Sequence, residues 1–343
     1  MTSRLGRFTS CLVLLVACAC APNIKSPGPW IAEPAVAADG LRMPDGAVLP
    51  LRRWMPDEPP VAVILALHGF NDYSNAFDEP AVFLRKHGIA TYAYDQRGFG
   101  GAPNRGYWPG ETALLDDLAT AMALLRQTHP GLPLILLGES MGGGVILAAM
   151  ARDRAPQADG VVLVAPAVWG RATMDLGKRV ALWVAVRTAP WMTLTGRGLD
   201  ITPSDNIEML RKLSRDPLVI KETRVDAIWG LANLMDDALD GARAFRAPSL
   251  ILYGEKDDVI PKEPTRTMIE RMPPVPAGTR RLAVYPGGYH MLTRDLQAEI
   301  VLGDIAFWIR NRARGPETPL PSGADARGLT ALFSKDESPA PLN

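Results

Sequence analysis

The chain has 343 residues, 47% hydrophobic and 22% charged, a composition that suits one large globular domain or two small ones. Its formal net charge is zero, so there is no electrostatic case for nucleic acid or an anionic surface as the main partner. No metal-ligand cluster or dinucleotide fingerprint stands in the sequence, and no cofactor is expected.

In chain order, residues 1–20 read as a targeting segment. Arg4 and Arg7 precede the apolar run 11–20, which is too short for a membrane span and has the form of a secretory signal. Leu15-Val16-Ala17-Cys18 resembles the lipobox of bacterial lipoproteins. That resemblance implies lipidation of Cys18, which becomes the mature N-terminus, and a place in the bacterial cell envelope. Ala19 carries no inner-membrane retention signal by the same resemblance, so the outer membrane or the periplasmic face is expected. A plain signal peptide cleaved near Ala21 is the alternative. All three cysteines, Cys11, Cys18 and Cys20, fall in this segment, so the folded body is expected to form no disulfide. Residues 21–36 read as a linker.

From residue 37 onward apolar runs and helical periods alternate. Short strands are predicted at 41–43 and 47–54 around a Pro-Asp-Gly turn, and a strand buried on both faces at 61–68. A helix near 76–87, a strand at 89–95 and a helix over 111–129 follow, the last stopped by His129-Pro130-Gly131. Then come a strand at 132–138, a helix at 141–152, and strands at 160–166, 249–254 and 280–286. This alternation implies an α/β protein with a mainly parallel sheet covered on both faces. Residues 169–241 break the rhythm with helical patterns and no convincing strand. Four of the eight tryptophans (Trp169, Trp183, Trp191 and Trp229) lie there, and the interval reads as a helical cap inserted into a core of 37–168 and 242–313. Residues 314–343, rich in Pro, Gly and Ser, read as a disordered tail.

Chemistry concentrates at Gly138-Glu139-Ser140-Met141-Gly142. This is the G-x-S-x-G pattern of a nucleophile elbow, with a strand before it and a helix after it. Such a turn exposes the Ser140 hydroxyl and leaves the Met141 backbone N–H at a helix N-terminus, aimed at a developing negative charge. A phosphate loop is excluded on detail: no Lys-Ser/Thr follows the glycines, and Leu147 stands where a G-x-G-x-x-G register needs glycine. A serine nucleophile needs a base. His87 and His129 sit at helix ends and His68 in a loop after a strand, whereas His290 is the only histidine after Ser140, as the order Ser…Asp…His requires. The acid lies between them in "GEKDDVIP", where spacing alone leaves Asp257 and Asp258 open.

With these residues in place, the body resembles the α/β-hydrolase superfamily, and within it the monoacylglycerol lipase and lysophospholipase group of serine hydrolases. The carrying motifs are His68-Gly69-Phe70, Asp95-Gln96-Arg97-Gly98-Phe99-Gly100, the elbow at Ser140, "GEKDDVIP" and "GGYHMLTRD", in that order from about 41 to 312. The resemblance implies an α/β-hydrolase fold with a cap, and Asp257 as the acid through the pattern G-x-x-D from Gly254. It further implies the backbone N–H of Phe70 as an oxyanion donor beside that of Met141. A serine esterase acting on an apolar acyl ester, a monoacylglycerol or a lysophospholipid, is the expected function. Glu139 departs from the histidine that many relatives carry, and little effect of this change is expected. The rivals are an acyltransferase using the same triad, a catalytically silent envelope lipoprotein, and a dehalogenase or epoxide hydrolase; the last needs aspartate where Ser140 stands.

Overall fold

The computed structural model describes residues 21–153, 155–196, 198, 200–311 and 318–333. Cys18 and the apolar run before it, on which the expected signal segment and lipid anchor rest, lie outside the described residues. Three antiparallel strands come first, β1 (Ala35–Val36), β2 (Gly40–Arg42) and β3 (Val48–Trp54). The alternating unit follows as β4 (Ala62–Leu67), α1 (Asp78–Lys86), β5 (Ile89–Tyr94), α2 (Glu111–Thr128), β6 (Leu134–Glu139), α3 (Met141–Met150) and β7 (Gly160–Val164). The inserted region holds α4 (Leu176–Thr188), β8 (Thr193–Leu194), α5 (Ile207–Arg215), β9 (Thr223–Arg224) and α6 (Val225–Gly241). The chain then returns to β10 (Ser249–Gly254), α7 (Lys262–Arg271), β11 (Arg280–Tyr285), α8 (Ala298–Asn311) and α9 (Ala324–Phe333).

The main sheet runs in the order β1-β2-β3-β5-β4-β6-β7-β10-β11, parallel from β5 to β11. Every residue of β4, β5 and β6 is buried, which is why these strands read as continuous apolar runs. Alternate side chains feed two cores. Ile64, Ala66, Ile135, Leu137, Val162 and Leu252 meet α1 and α8 on one face. Val63, Leu65, Leu136, Val161, Leu163 and Ile251 meet α2, α3, α6 and α7 on the other.

Three expectations are corrected. Residues 21–36 are not a free linker. Lys25 N–H donates to the Trp108 carbonyl at 2.8 Å, Ile31 N–H to the Pro44 carbonyl at 2.8 Å, and Ala35–Val36 pairs with β2. Prolines, which lack N–H groups, suit a segment laid over the body outside the sheet, and composition alone cannot tell that from a linker. Second, α6 lies within the interval assigned to the cap but packs into the core. Ala232, Leu234, Ala238 and Leu239 are buried in the cluster that contains α3, and Gly230 lies against the Trp108 ring, where a Cβ would overlap. Third, residues 318–333, assigned to the tail, are not loose. Leu320 and Leu332 are buried, Ser322 bonds Asp304, and α9 covers β11. A few apolar anchors suffice here because β11 is an edge strand whose flank needs cover, and averages over thirty residues hide them.

Candidate active site

The strand-to-helix junction after β6 carries a backbone conformation that L-residues rarely adopt. Ser140 has φ 52° and ψ −116°, an arrangement that costs on the order of 1–3 kcal/mol and persists only where the surroundings impose it. Its N–H donates to the Val164 carbonyl at 3.0 Å, and its carbonyl accepts from Gly144 at 3.1 Å and Ala167 at 2.8 Å. The turn fits only because its neighbours lack side chains. A Cβ at Gly138 would sit 2.5 Å from the Gly143 nitrogen, and one at Gly142 would overlap the Leu67 carbonyl. Gly143 and Gly144, which the motif does not require, press against Pro166 and the Ala167 carbonyl in the same way.

His290 stands in the loop after β11, and Asp257 in the loop after the neighbouring β10. His290 Nδ1 lies 2.9 Å from Asp257 Oδ2, and the Asp257 side chain is wholly buried. The other oxygen, Oδ1, accepts from Val259 N–H at 2.8 Å and Ile260 N–H at 2.9 Å. Asp258, left open by the spacing, is exposed. An imidazole whose Nδ1–H donates a hydrogen bond to a carboxylate keeps Nε2 free as an acceptor.

Ser140, His290, Gly69 and Phe70 line one cavity of about 280 Å³, with Trp169, Leu231, Met235, Val259 and Ile260 forming its apolar wall. Among the described residues no hydrogen bond joins Ser140 Oγ to His290; such contacts often tighten only when substrate is bound. Phe70 follows Gly69 in the loop after β4, edge-on to Phe99. A Cβ on Gly69 would lie 3.4 Å from Ser140 Cβ, so this loop runs directly over the serine. Met141 is the first residue of α3 and is fully buried, which places its amide at a helix N-terminus beside Ser140. His68 is held as a neutral strut. Its Nδ1 donates to the Gly69 carbonyl (2.8 Å), its Nε2 accepts the Gln96 N–H (2.9 Å), and burial pushes its pKa down. In the Asp95–Gly100 loop, Arg97 bridges Asp117 and Asp45, and Asp95 accepts from Ser74 and Gly101.

One cluster escapes the sequence reading. Arg294 is buried, with Nη2 donating to Glu139 Oε1 at 2.6 Å and Nη1 to Asp72 Oδ2 at 2.8 Å, while Thr293 Oγ1 donates to Glu139 Oε2 at 2.7 Å. Glu139 is therefore tied to the histidine loop through both of its carboxylate oxygens. The signal available was an apolar strand ending in a carboxylate, with no local partner to indicate who neutralises it.

The arrangement so far is a strained serine after a central strand, a histidine–aspartate pair, and two glycine-lined turns around one cavity. A family model described as Hydrolase_4, serine aminopeptidase S33, matches residues 58–297, more than half of the chain. The chain belongs to the Hydrolase_4 family. It is 29% identical over 261 residues to a monoacylglycerol lipase of Mycolicibacterium smegmatis, covering 75% of this chain and 90% of that protein. With human monoglyceride lipase the identity is 25% over 288 residues, 81% of this chain and 91% of the human one. Among solved structures it resembles the Paleococcus ferrophilus monoacylglycerol lipase, with a TM-score of 0.64 and 23% identity over 76% of this chain and 98% of that one. A soluble variant of the Saccharomyces cerevisiae monoglyceride lipase gives 0.65 and 20%, over 83% and 97%. These structural likenesses bear out the α/β-hydrolase fold expected of this Hydrolase_4 member.

Proposed function

We propose that this carboxylic-ester hydrolase works through Ser140, His290 and Asp257 on an ester with an apolar acyl chain, a monoacylglycerol or a lysophospholipid. The observation that carries the reading is Ser140, in its strained turn, sharing an apolar cavity with a histidine whose Nδ1 is held by a buried carboxylate. Ser140 Oγ attacks the ester carbonyl carbon while His290 Nε2 takes the hydroxyl proton. The negative oxygen of the tetrahedral intermediate is met by the Phe70 and Met141 amides. Collapse expels the alcohol with the proton from His290 and leaves an acyl-serine. Water, deprotonated by the same imidazole, then releases the carboxylic acid and restores Ser140.

Two features favour a lipid ester. The cavity wall is mostly apolar, and its two carboxylates, Asp72 and Glu139, are both engaged by Arg294, so neither is left to receive the α-ammonium of a peptide. The cap also turns apolar side chains outward. Leu176, Val180, Trp183 and Val184 are exposed along α4, with Lys178 and Arg187 stacked over Trp169 and Trp183. Hydrolysis rates along a series of C2 to C16 p-nitrophenyl and monoacylglycerol esters test the substrate class. The optimum is expected at medium to long chains; a sharp maximum at C2 contradicts the lipid reading.

The resemblance of residues 15–18 to a lipobox supports a lipid anchor at Cys18. A single acyl chain binds membranes only marginally, whereas two or more hold stably at about 0.8 kcal/mol per buried CH₂. Cys18→Ser is therefore expected to move the protein from the membrane fraction to the soluble one with its esterase activity intact. Unchanged fractionation removes the anchor from the proposal.

A further inference from the structure

In the parallel sheet, β6 delivers Ser140 and β10 and β11 deliver Asp257 and His290, with β7 between the two groups. The acid and the histidine come from adjacent strands whose hydrogen bonds set their spacing. The serine and the histidine do not. Their parent strands lie three positions apart, roughly 14 Å at the usual strand spacing of about 4.8 Å, so the loop after β11 must reach back across the sheet. No strand pairing specifies how far it reaches.

The span is closed by the buried cluster. Residues 291–295 form a tight turn, with Arg294 N–H and Asp295 N–H both donating to the Met291 carbonyl at 2.8 and 3.0 Å. The Arg294 side chain is thereby held in fixed relation to His290. Its guanidinium then contacts the residue before the nucleophile, Glu139, and, through Asp72, the loop that carries Phe70. Thr293 adds a second link to Glu139. On the far side of His290, Asp295 accepts the Tyr289 N–H at 2.8 Å and the Ser204 hydroxyl at 2.6 Å. One planar cation on the histidine loop thus meets both the serine turn and the loop that carries Phe70.

We propose that Arg294 is a positioning residue: acting through Glu139 and Asp72, it sets the separation between Ser140 and His290 and the placement of the Phe70 loop. The proposal rests on the serine mechanism given above. The chemistry of the group matters as well as its charge. A guanidinium offers several donors in a rigid plane and can hold two carboxylates on different loops at defined angles; an ammonium on a flexible stem cannot fix both directions. An apolar residue of similar volume would fill the space without specifying any direction.

The test is steady-state kinetics on p-nitrophenyl esters for wild type, Arg294→Lys, Glu139→Gln and the double variant. Active sites are counted by fluorophosphonate titration, so that unfolded protein does not enter kcat. Arg294→Lys is expected to lower kcat per titrated site by about a hundredfold with KM unchanged, the loss typical of a misplacement of about 1 Å between reacting groups. Glu139→Gln, whose amide oxygen still accepts from Arg294, should lose less. The double variant should lose no more than Arg294→Lys alone, since both act on one link. Should Arg294→Lys fail to fold, Thr293→Val removes a single hydrogen bond from the same span and is expected to lower kcat per site by a smaller factor. An unchanged kcat per titrated site in whichever of these two folds, with only melting temperature or titratable fraction reduced, overturns the proposal and leaves the cluster a scaffold. A wild type that takes up no fluorophosphonate overturns the serine mechanism, and this proposal with it.

Discussion

Ser140→Ala is expected to reduce kcat on any ester substrate by a factor on the order of 10⁶, with KM and melting temperature close to wild type. In the proposed mechanism the hydroxyl oxygen forms the acyl bond, and no neighbour can replace it. The proposed oxyanion donors and the apolar cavity survive the change, so residual turnover well above the rate in water is expected to persist. Folding should be little affected. Alanine accepts the φ of 52° at about the same cost as serine, and the hydrogen bonds that hold the turn are made by the Ser140 backbone. Fluorophosphonate labelling of wild type, and its loss in the variant, is the direct measurement. A Ser140→Ala protein that hydrolyses p-nitrophenyl esters at the wild-type rate ends the serine mechanism.

Asp257→Asn is expected to lower kcat by about 10⁴, the size of effect seen when a triad histidine is held in the wrong tautomer. The local geometry explains why. Asp257 Oδ1 accepts two backbone N–H groups, from Val259 and Ile260, so the amide oxygen of an asparagine must take that place. The amide NH₂ is then turned toward His290 Nδ1 and donates to it. Nδ1 becomes the acceptor, the ring proton moves to Nε2, and Nε2 can no longer accept the proton of Ser140. Asp258→Asn, at an exposed position, should keep nearly full activity. Circular dichroism and thermal melting of both variants separate the tautomer effect from unfolding. Equal activity of the two variants would remove Asp257 from the triad.

Much of this was legible in the residues. The strands at 62–67, 134–139, 160–164, 249–254 and 280–285 stand within a few residues of their predicted places. Strands buried on both faces must be apolar throughout, and that pattern survives any tertiary context. Ser140 and His290, which the structure brings to one cavity, were singled out because the elbow has a local spacing and the histidine could be found by elimination. What failed to show was long-range and polar. Arg294 lies 155 positions from Glu139 and 222 from Asp72, and a lone arginine in "HMLTRD" carries no mark of its partners. The docking of α9 on β11 and of residues 21–36 along the body depends on edges that exist only once the sheet is built.

The sequence by itself determined the alternation of strand and helix, the elbow that strains Ser140, and the order in which serine, acid and histidine occur. These follow from local rules: burial on one or both faces of an element, and turns that only glycine permits. Tertiary structure alone decided that Glu139, Arg294 and Asp72 form one buried cluster, and that α6 belongs to the core. Those outcomes are distances between segments far apart in the chain, set by sheet order and by the need of buried charges to find one another.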